Sequence, residues 1–508
     1  MARWIDKTAR AAALAAGVNL WLLSGTNAQV RTAATGRVAP SLVDASGHVT
    51  EDAYPPAPLP EAERAYADIS GTRMKAMVKE ITAISVKSRD DGNRYWGRIA
   101  GTKYEAMTAD LLESKFRKLG LQDIHREEFA LSPQWFPTDW NMAASSGAKT
   151  LTFQSAFPTW NSKPTPAGDI QAEAVWVGFG TAADFSGRDV RGKVAVVHSM
   201  LAPGNMGNSA TWEGAARRAA ERGAVAVVLI WGYAENFMVV QNSGTNQIPG
   251  FYIGYEDGKA LRDLIAEGTV NLDLKLQVDM RPNLKSVSIY GTLPGATDEN
   301  MIVMGHLDGW FQGALDNASG LSVMLELAEH FSHTPKEKRR RSITFIGTAG
   351  HHVGSPNAAF LHKNRETMLA KTALMINCEH VSYSDHETWS TKMRQSNEVA
   401  PLRYWIYGSP SLPEITLASY HTFRVPLIGD MDDRATGEMG QVSRDAPSIQ
   451  VIRSPEFKHT DRDTPDIVPA AGMESIARAY AKIIDQVNKL DRRNLMPAAP
   501  QQSAVRVQ

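Results

Sequence analysis

Four stretches in the second half of the chain share one pattern: a short unbroken apolar run, then a turn rich in glycine and polar residues that carries a histidine or an acid. MIVMG (301–305) leads into HLDGWFQGALDNASG, and SITFIG (342–347) into TAGHHVGS. TALMIN (372–377) leads into Cys378, Glu379 and His380, and SIQVI (448–452) into RSPEFKHTDRDTPD. Apolar runs of this length without polar alternation predict strands buried on both faces, as in a parallel sheet. After the first turn, Leu321, Met324, Leu325, Ala328 and Phe331 recur at helical spacing, which predicts a helix with Ser319 as its N-cap. Upstream, RAYADISGTRMKAMVKEITAISVKSR and KYEAMTADLLESKFRKLG read as helices, the second closing at Gly120.

Residues 150–283 have a different texture. AVWVGFG, KVAVVHS and AVAVVLI read as short strands, WEGAARRAAERG as a helix, and IPGFYIGYEDGKALRDLIAEG as a strand turning into a helix. SVSIYGTLPG then returns the chain to the main sheet just before His306. The expected fold is α/β, a mixed and largely parallel sheet sandwiched by helices, with an inserted β-rich α/β domain. The expected segments are a signal peptide at 1–28, a Pro- and Ala-rich lead-in at 29–60, and a first catalytic part at 61–149. The insert at 150–283, a metal-binding catalytic part at 284–490 and a tail at 491–508 complete the chain.

In an open parallel sheet, ligands gather beyond the carboxyl ends of the strands, so the four turns are expected to converge on one crevice. Taken singly, a histidine or aspartate in such a turn satisfies nearby backbone amides. Taken together, His306, Asp316, His351, His352, Glu379 and His459 point to a metal, since imidazole nitrogen and carboxylate oxygen are the donors that zinc accepts. An aspartate also has two oxygens with which to bridge a pair of ions.

These segments resemble the zinc-dependent M28 metallopeptidases, which include aminopeptidases and glutamate carboxypeptidases. HLDGW is similar to that family's HxDSW segment, GALDNASG to its bridging-aspartate motif, and KHTDRDTPD to its YHTxxDTxD ending. YWGRIAGT resembles an RxxGT turn near the start of such domains, and 150–283 resembles the protease-associated domain that some members carry as an insert, there a lid or substrate-binding wall. The resemblance implies that His306, Asp316 and Glu379 hold one ion and that Asp316, His352 and His459 hold another. Asp308 would orient His306. The implied cofactor is zinc, as one or two ions, or another divalent ion in its place.

The chain departs from the family where a GluGlu pair should stand, reading His351 and His352 after Gly350. His352 can still ligate and His351 can still accept a proton, being near neutrality with an acid limb expected at roughly pH 6 to 7. Gly437 and Glu438 stand where the family has a SerAsp pair. The expected substrate contacts are Trp310 and Phe311, as an apolar wall beside the metals, together with His380 and Glu438. The resulting expectation is an exported metal-dependent hydrolase cleaving a peptide or aminoacyl amide bond. The alternatives are a hydrolase or lyase acting on a small non-peptide molecule, and an inactive binding protein with the same fold.

Composition changes the picture little. The chain has 508 residues, is 43% hydrophobic and carries a net charge of −1, so it is expected to engage a small peptide or small molecule and neither nucleic acid nor an anionic membrane. Homo-oligomerisation is left open. KEKRRR (336–341) reads as a solvated turn, and the single cysteine, Cys378, excludes an internal disulfide. At the start, Arg3, Lys7 and Arg10 precede AAALAAGVNLWLL, an apolar run broken by Gly17 and Asn19, which predicts a signal peptide cut after Ala28 and an exported protein, periplasmic or secreted, without stable membrane insertion.

Overall fold

The apolar runs do form strands, and they lie side by side. A computed structural model describes residues 48–202, 209–212, 214–241, 247–389, 392–431 and 434–497. The expected signal peptide, most of the lead-in and the end of the tail therefore lie outside the described residues. Among those described, no helix is long and apolar enough to cross a membrane.

The main sheet has eight strands: β1 (Gln122–Ala130), β2 (Lys285–Leu293), β3 (Asn300–His306), β4 (Ser342–Thr348), β5 (Thr372–Cys378), β6 (Leu402–Tyr407), β7 (Leu427–Asp430) and β8 (Ser448–Ile452). Their order across the sheet is β1-β2-β4-β3-β5-β8-β6-β7. β4, β3, β5 and β8 run parallel, as do β6 and β7, and the remaining pairs are antiparallel. The sheet is thus mixed, with a parallel centre whose four strands are the four apolar runs. Every residue of β5 and β8 is buried, which is why their sequences do not alternate.

Helices α1 (Gly71–Asp90), α2 (Lys103–Lys118), α3 (Gly320–Ser332) and α4 (Ala470–Asn488) contribute most of the remaining core, Met74 and Val78 of α1 packing in one cluster with Ile476 and Ile483 of α4. α1 starts later than its apolar pattern suggests, because Ser70 Oγ accepts from the Arg73 amide and caps it there. Ser319 does not cap α3. Asp316 and Asn317 break the helical path, but Ser319 itself has helical dihedrals, φ −62° and ψ −48°, so it is already inside the run and its hydroxyl donates to the Leu315 carbonyl. The basic run 336–341 is not a solvated turn throughout: the Arg341 guanidinium is buried, donating to Glu299 and to the Val487 and Leu490 carbonyls at the end of α4.

A second eight-stranded sheet is formed by the insert. It begins earlier than residue 150, because the long strand Gln134–Ser146 pairs along its length with Asn271–Arg281 and belongs to this sheet. Phe136, Trp140, Met142 and Ala144 turn into the insert's own core, a period-two pattern on a strand that leaves the main sheet directly after β1. Beyond Glu379 the chain forms a hairpin, Ser384–Trp389 with Lys392–Val399. Tyr54 of the lead-in is buried and donates to the Ser396 carbonyl on it.

Candidate metal centre

The carboxyl ends of β3, β4, β5 and β8 deliver their turns to one place, and Asp316 stands at its centre, 2% exposed. Four imidazoles close on its two oxygens. Oδ1 lies 3.0 Å from His306 Nε2 and 3.2 Å from His380 Nε2. Oδ2 lies 2.8 Å from His459 Nε2 and 3.3 Å from His352 Nε2, and the two imidazole nitrogens on that side are 3.2 Å apart.

The opposite ring nitrogens explain what these atoms are. His306 Nδ1 faces the Asp308 carbonyl at 3.0 Å, and His352 Nδ1 faces Asp308 Oδ2 at 2.9 Å. His459 Nδ1 faces Gln241 Oε1 at 3.3 Å. A carbonyl, a carboxylate and an amide oxygen can only accept, so each ring carries a proton on Nδ1 and, when neutral, turns an Nε2 lone pair inward. His306 Nε2, His380 Nε2 and Asp316 Oδ1 are buried without a hydrogen-bond partner, so their close approaches are not aligned as hydrogen bonds. Lone pairs converging off-axis in a dry pocket are what ligands of a shared cation look like. Three of the groupings within ligand reach fit that description: His306 with Asp316 and His380, His306 with His351 and Glu379, and Asp316 with His352 and His459.

Electrostatics agree. Burial pushes the Asp316 carboxyl up, yet the imidazoles of His380 and His352 hold it well below the usual carboxylate range. Burial opposes charge on His306 too, but Asp308 and Asp316 raise it well above its ordinary value, whereas burial takes His459 well below its own. Without a metal, the pocket draws in protons on the β3 side.

Asp308 does more than orient His306. Its two oxygens accept the main-chain N–H groups of His351 and His352, both at 2.9 Å, and its contact with the His352 ring is closer than its 3.3 Å contact with His306 Nδ1. Glu379 is fixed through Oε2, which accepts from Asn377 Nδ2 at 2.8 Å and the Glu438 amide at 3.1 Å, leaving Oε1 3.7 Å from His351 Nε2. Gly437 has a positive φ, and a Cβ there would collide with the Glu379 carboxylate. His351 keeps one edge accessible, with Nδ1 3.0 Å from Ser355 Oγ. Burial and then the charge of His306 lower it to about 3, so it is neutral at ordinary pH.

Trp310 lies beside the centre, its ring centroid 4.2 Å from that of His352 and 4.6 Å from that of His459, and its indole N–H donates to the Tyr95 hydroxyl. Three other expected substrate contacts are placed differently. Phe311 is buried against Trp96 and Phe157 and turns its ring into the core of the insert. His380 is wholly buried on Asp316. Glu438 is wholly buried beneath Glu379, accepting from Thr348 Oγ1, and burial pushes its carboxyl up to about 8. None of the three presents a face to a cleft.

Three supporting residues were not singled out from the sequence. Arg98, in the RxxGT turn, is fully buried and donates to the carbonyls of Leu307, Gln312 and Gly313 and to Ser85 Oγ. It clamps the turn between His306 and Asp316 against α1. Arg98→Ala would strand the buried Leu307 carbonyl, while Gln312 keeps Ser85 Oγ and Gly313 keeps the Ala318 amide as donors, and the expected loss is about 1–3 kcal/mol in urea denaturation, against no loss if water replaced the guanidinium. Asp463, whose carboxyl burial pushes up to about 7, accepts the amides of Leu315 and Asp316.

The third is Gln241, which belongs to the insert. Residues 238–241 run alongside 458–461: the Val240 amide donates to the His459 carbonyl, Gln241 Nε2 to the Lys458 carbonyl, and Val239 bridges Thr460. The insert therefore fixes the His459 ring. Gln241→Ala is expected to weaken metal binding roughly 10–100-fold with the fold retained, as loss of an outer partner of a ligating histidine does, measured by zinc titration against a competing chelator.

A model of peptidase family M28 matches residues 288–484, and a PA domain model matches residues 166–261. Aminopeptidase YwaD of Bacillus subtilis is 30% identical over 255 residues, 49% of this chain and 50% of that protein. The alkaline phosphatase isozyme conversion protein of Escherichia coli is 29% identical over 137 residues, 24% of this chain and 39% of that protein. The matched stretch thus spans about half the length of the first of these curated relatives and less of the second. Among solved structures, an M28 peptidase precursor from Shewanella amazonensis superposes with a TM-score of 0.69 at 18% identity, covering 87% of this chain and 98% of that one. BSAP, a zinc aminopeptidase from Bacillus subtilis, gives 0.59 at 21% identity, covering 84% and 98%. At such identities these two establish the fold.

Proposed function

Since the chain carries a peptidase family M28 domain with a PA domain set into it, we propose that the protein is a metal-dependent hydrolase of amide bonds, acting as an aminopeptidase on peptides or aminoacyl amides. The observation that carries this reading is the convergence of four imidazole Nε2 atoms on the two oxygens of Asp316. The donor set fits zinc, held by His306, Asp316, His352, His459 and Glu379 Oε1. When bound there, zinc supplies a Lewis acid that polarises a carbonyl and lowers the pKa of water.

The chain's own residues do the rest. His351, neutral and open on one edge, takes a proton from the attacking water at Nε2, and Glu379 Oε1, 3.7 Å away, stabilises the imidazolium that results. Glu438 is shut off from the cleft and cannot take this role directly. A narrow gap of about 10 Å³, room for no more than a water, is lined by Tyr95, Trp135, Phe136, Trp160 and Trp310 and lies against Asp308 and His352. Trp135, Phe136 and Trp160 come from the insert, which then serves as a wall of the substrate site. The same reading takes the protein as exported, on the basic and then apolar opening that ends at Ala28.

The test is a panel of aminoacyl p-nitroanilides and simple esters. Release from apolar aminoacyl anilides that a chelator abolishes and zinc restores is the expected result. Ester cleavage without anilide cleavage would transfer the reading to a small non-peptide substrate.

A further inference from the structure

His380 stands outside the five residues just assigned to zinc, and yet its ring meets Asp316 Oδ1 almost as closely as His306 does, at 3.2 against 3.0 Å. Two contacts fix it there. Its main-chain N–H donates to Asn317 Oδ1 at 3.3 Å, and Asn317 Nδ2 donates to the Cys378 carbonyl, so the turn after β5 is tied to the residue that follows Asp316. Its Nδ1 lies 2.8 Å from the Arg453 carbonyl, an acceptor only, which puts the ring proton on Nδ1 and leaves an Nε2 lone pair pointing at the carboxylate. That nitrogen is buried and has no hydrogen-bond partner. A lone pair facing a carboxylate oxygen at this distance in a dry interior is costly unless a cation lies with both. A proton shared between them would need an aligned hydrogen bond, which the approach does not make.

On the metal-dependent reading above, we infer that His380 is itself a ligand, so that the two positions match: His306, His380 and Asp316 Oδ1 on one side, His352, His459 and Asp316 Oδ2 on the other. Glu379 then serves the first position from its rim, its Oε1 lying 3.7 Å from His351 Nε2. Four imidazoles around one carboxylate form a nitrogen-rich centre. Such a donor set selects zinc, nickel or copper over manganese and magnesium, which favour oxygen ligands.

The experiment uses the full chain, freed of metal with a chelator and titrated with zinc and then with manganese against a competing chromophoric chelator. Wild-type protein is compared with His380→Gln and His380→Ala, folding is checked by circular dichroism, and the visible spectrum of each cobalt-loaded form is recorded. The expected result is two zinc ions in the wild type, with one of them weakened in both variants by more than the roughly 100-fold that marks the limit for an outer partner. The cobalt spectrum should change with it, and manganese should bind far more weakly than zinc. Two tightly bound zinc ions and an unaltered cobalt spectrum in both variants would overturn the inference and leave the metal reading standing. A wild type that takes up no zinc would overturn both.

Discussion

Replacing Asp316 with Ala takes away both metal ions. Among the described residues this is the carboxylate whose two oxygens meet imidazoles on both sides, and removing it leaves two imidazole pairs without their shared anion, with Glu379 Oε1 at the rim of one side. The affinity loss is expected at both positions and to exceed the roughly 100-fold that an outer partner costs, read by zinc titration of the folded variant. Retention of one full ion would mean that one side closes without Asp316.

His351→Ala is expected to behave in the opposite way, keeping its metal and losing turnover by about a hundredfold or more, the usual size of a general-base contribution. The pH dependence sharpens this. From the residue type alone the acid limb would fall at roughly 6 to 7. In the metal-free folded protein, burial and then the neighbouring His306 charge lower His351 to about 3, and the burial, the larger cause, remains when a metal takes the place of that charge. A base that must be neutral is neutral above its pKa, so the turnover ratio of wild type to His351→Ala should stay level from neutral pH well into the acid range. A ratio that collapses between pH 7 and 6 would place the proton acceptor elsewhere. Folding linkage carries the same sign: between 6.5 and about 3 the unfolded chain binds a proton that the folded His351 refuses, so this residue's share of stability rises with pH in that window.

The parallel centre of the sheet was legible because strands buried on both faces have no reason to alternate, and their apolar runs stand out with the ligand-bearing turns at their ends. His306, Asp316, His352 and His459 could therefore be placed together before any coordinates. What the sequence hid depends on contacts across long separations. Gln241 reaches His459 from 218 positions away, and Arg98 reaches Leu307 from 209, which no local spacing encodes. His380 and Glu438 read as substrate contacts because polar residues after a strand usually face solvent. Here the turn after β5 folds inward on Asn317, and Thr348 and Glu379 cover Glu438. Phe311 and Trp310 are neighbours in sequence but part company because Gly309–Trp310 pairs with Gly97–Arg98, which sets one ring against the metal-pocket histidines and turns the next into the core of the insert. The strand Gln134–Ser146 was assigned to the wrong domain because an alternating strand shows its buried face without showing which sheet it joins.

The central claim is that His306, Asp316, His352, His459 and Glu379 hold a divalent metal, and metal analysis of the full chain after purification without chelators tests it most directly. The account predicts close to two equivalents of zinc or a similar transition ion, removed by a chelator and taken up again stoichiometrically. Less than about one-tenth of an equivalent, with no uptake on adding zinc to the folded protein, would contradict it.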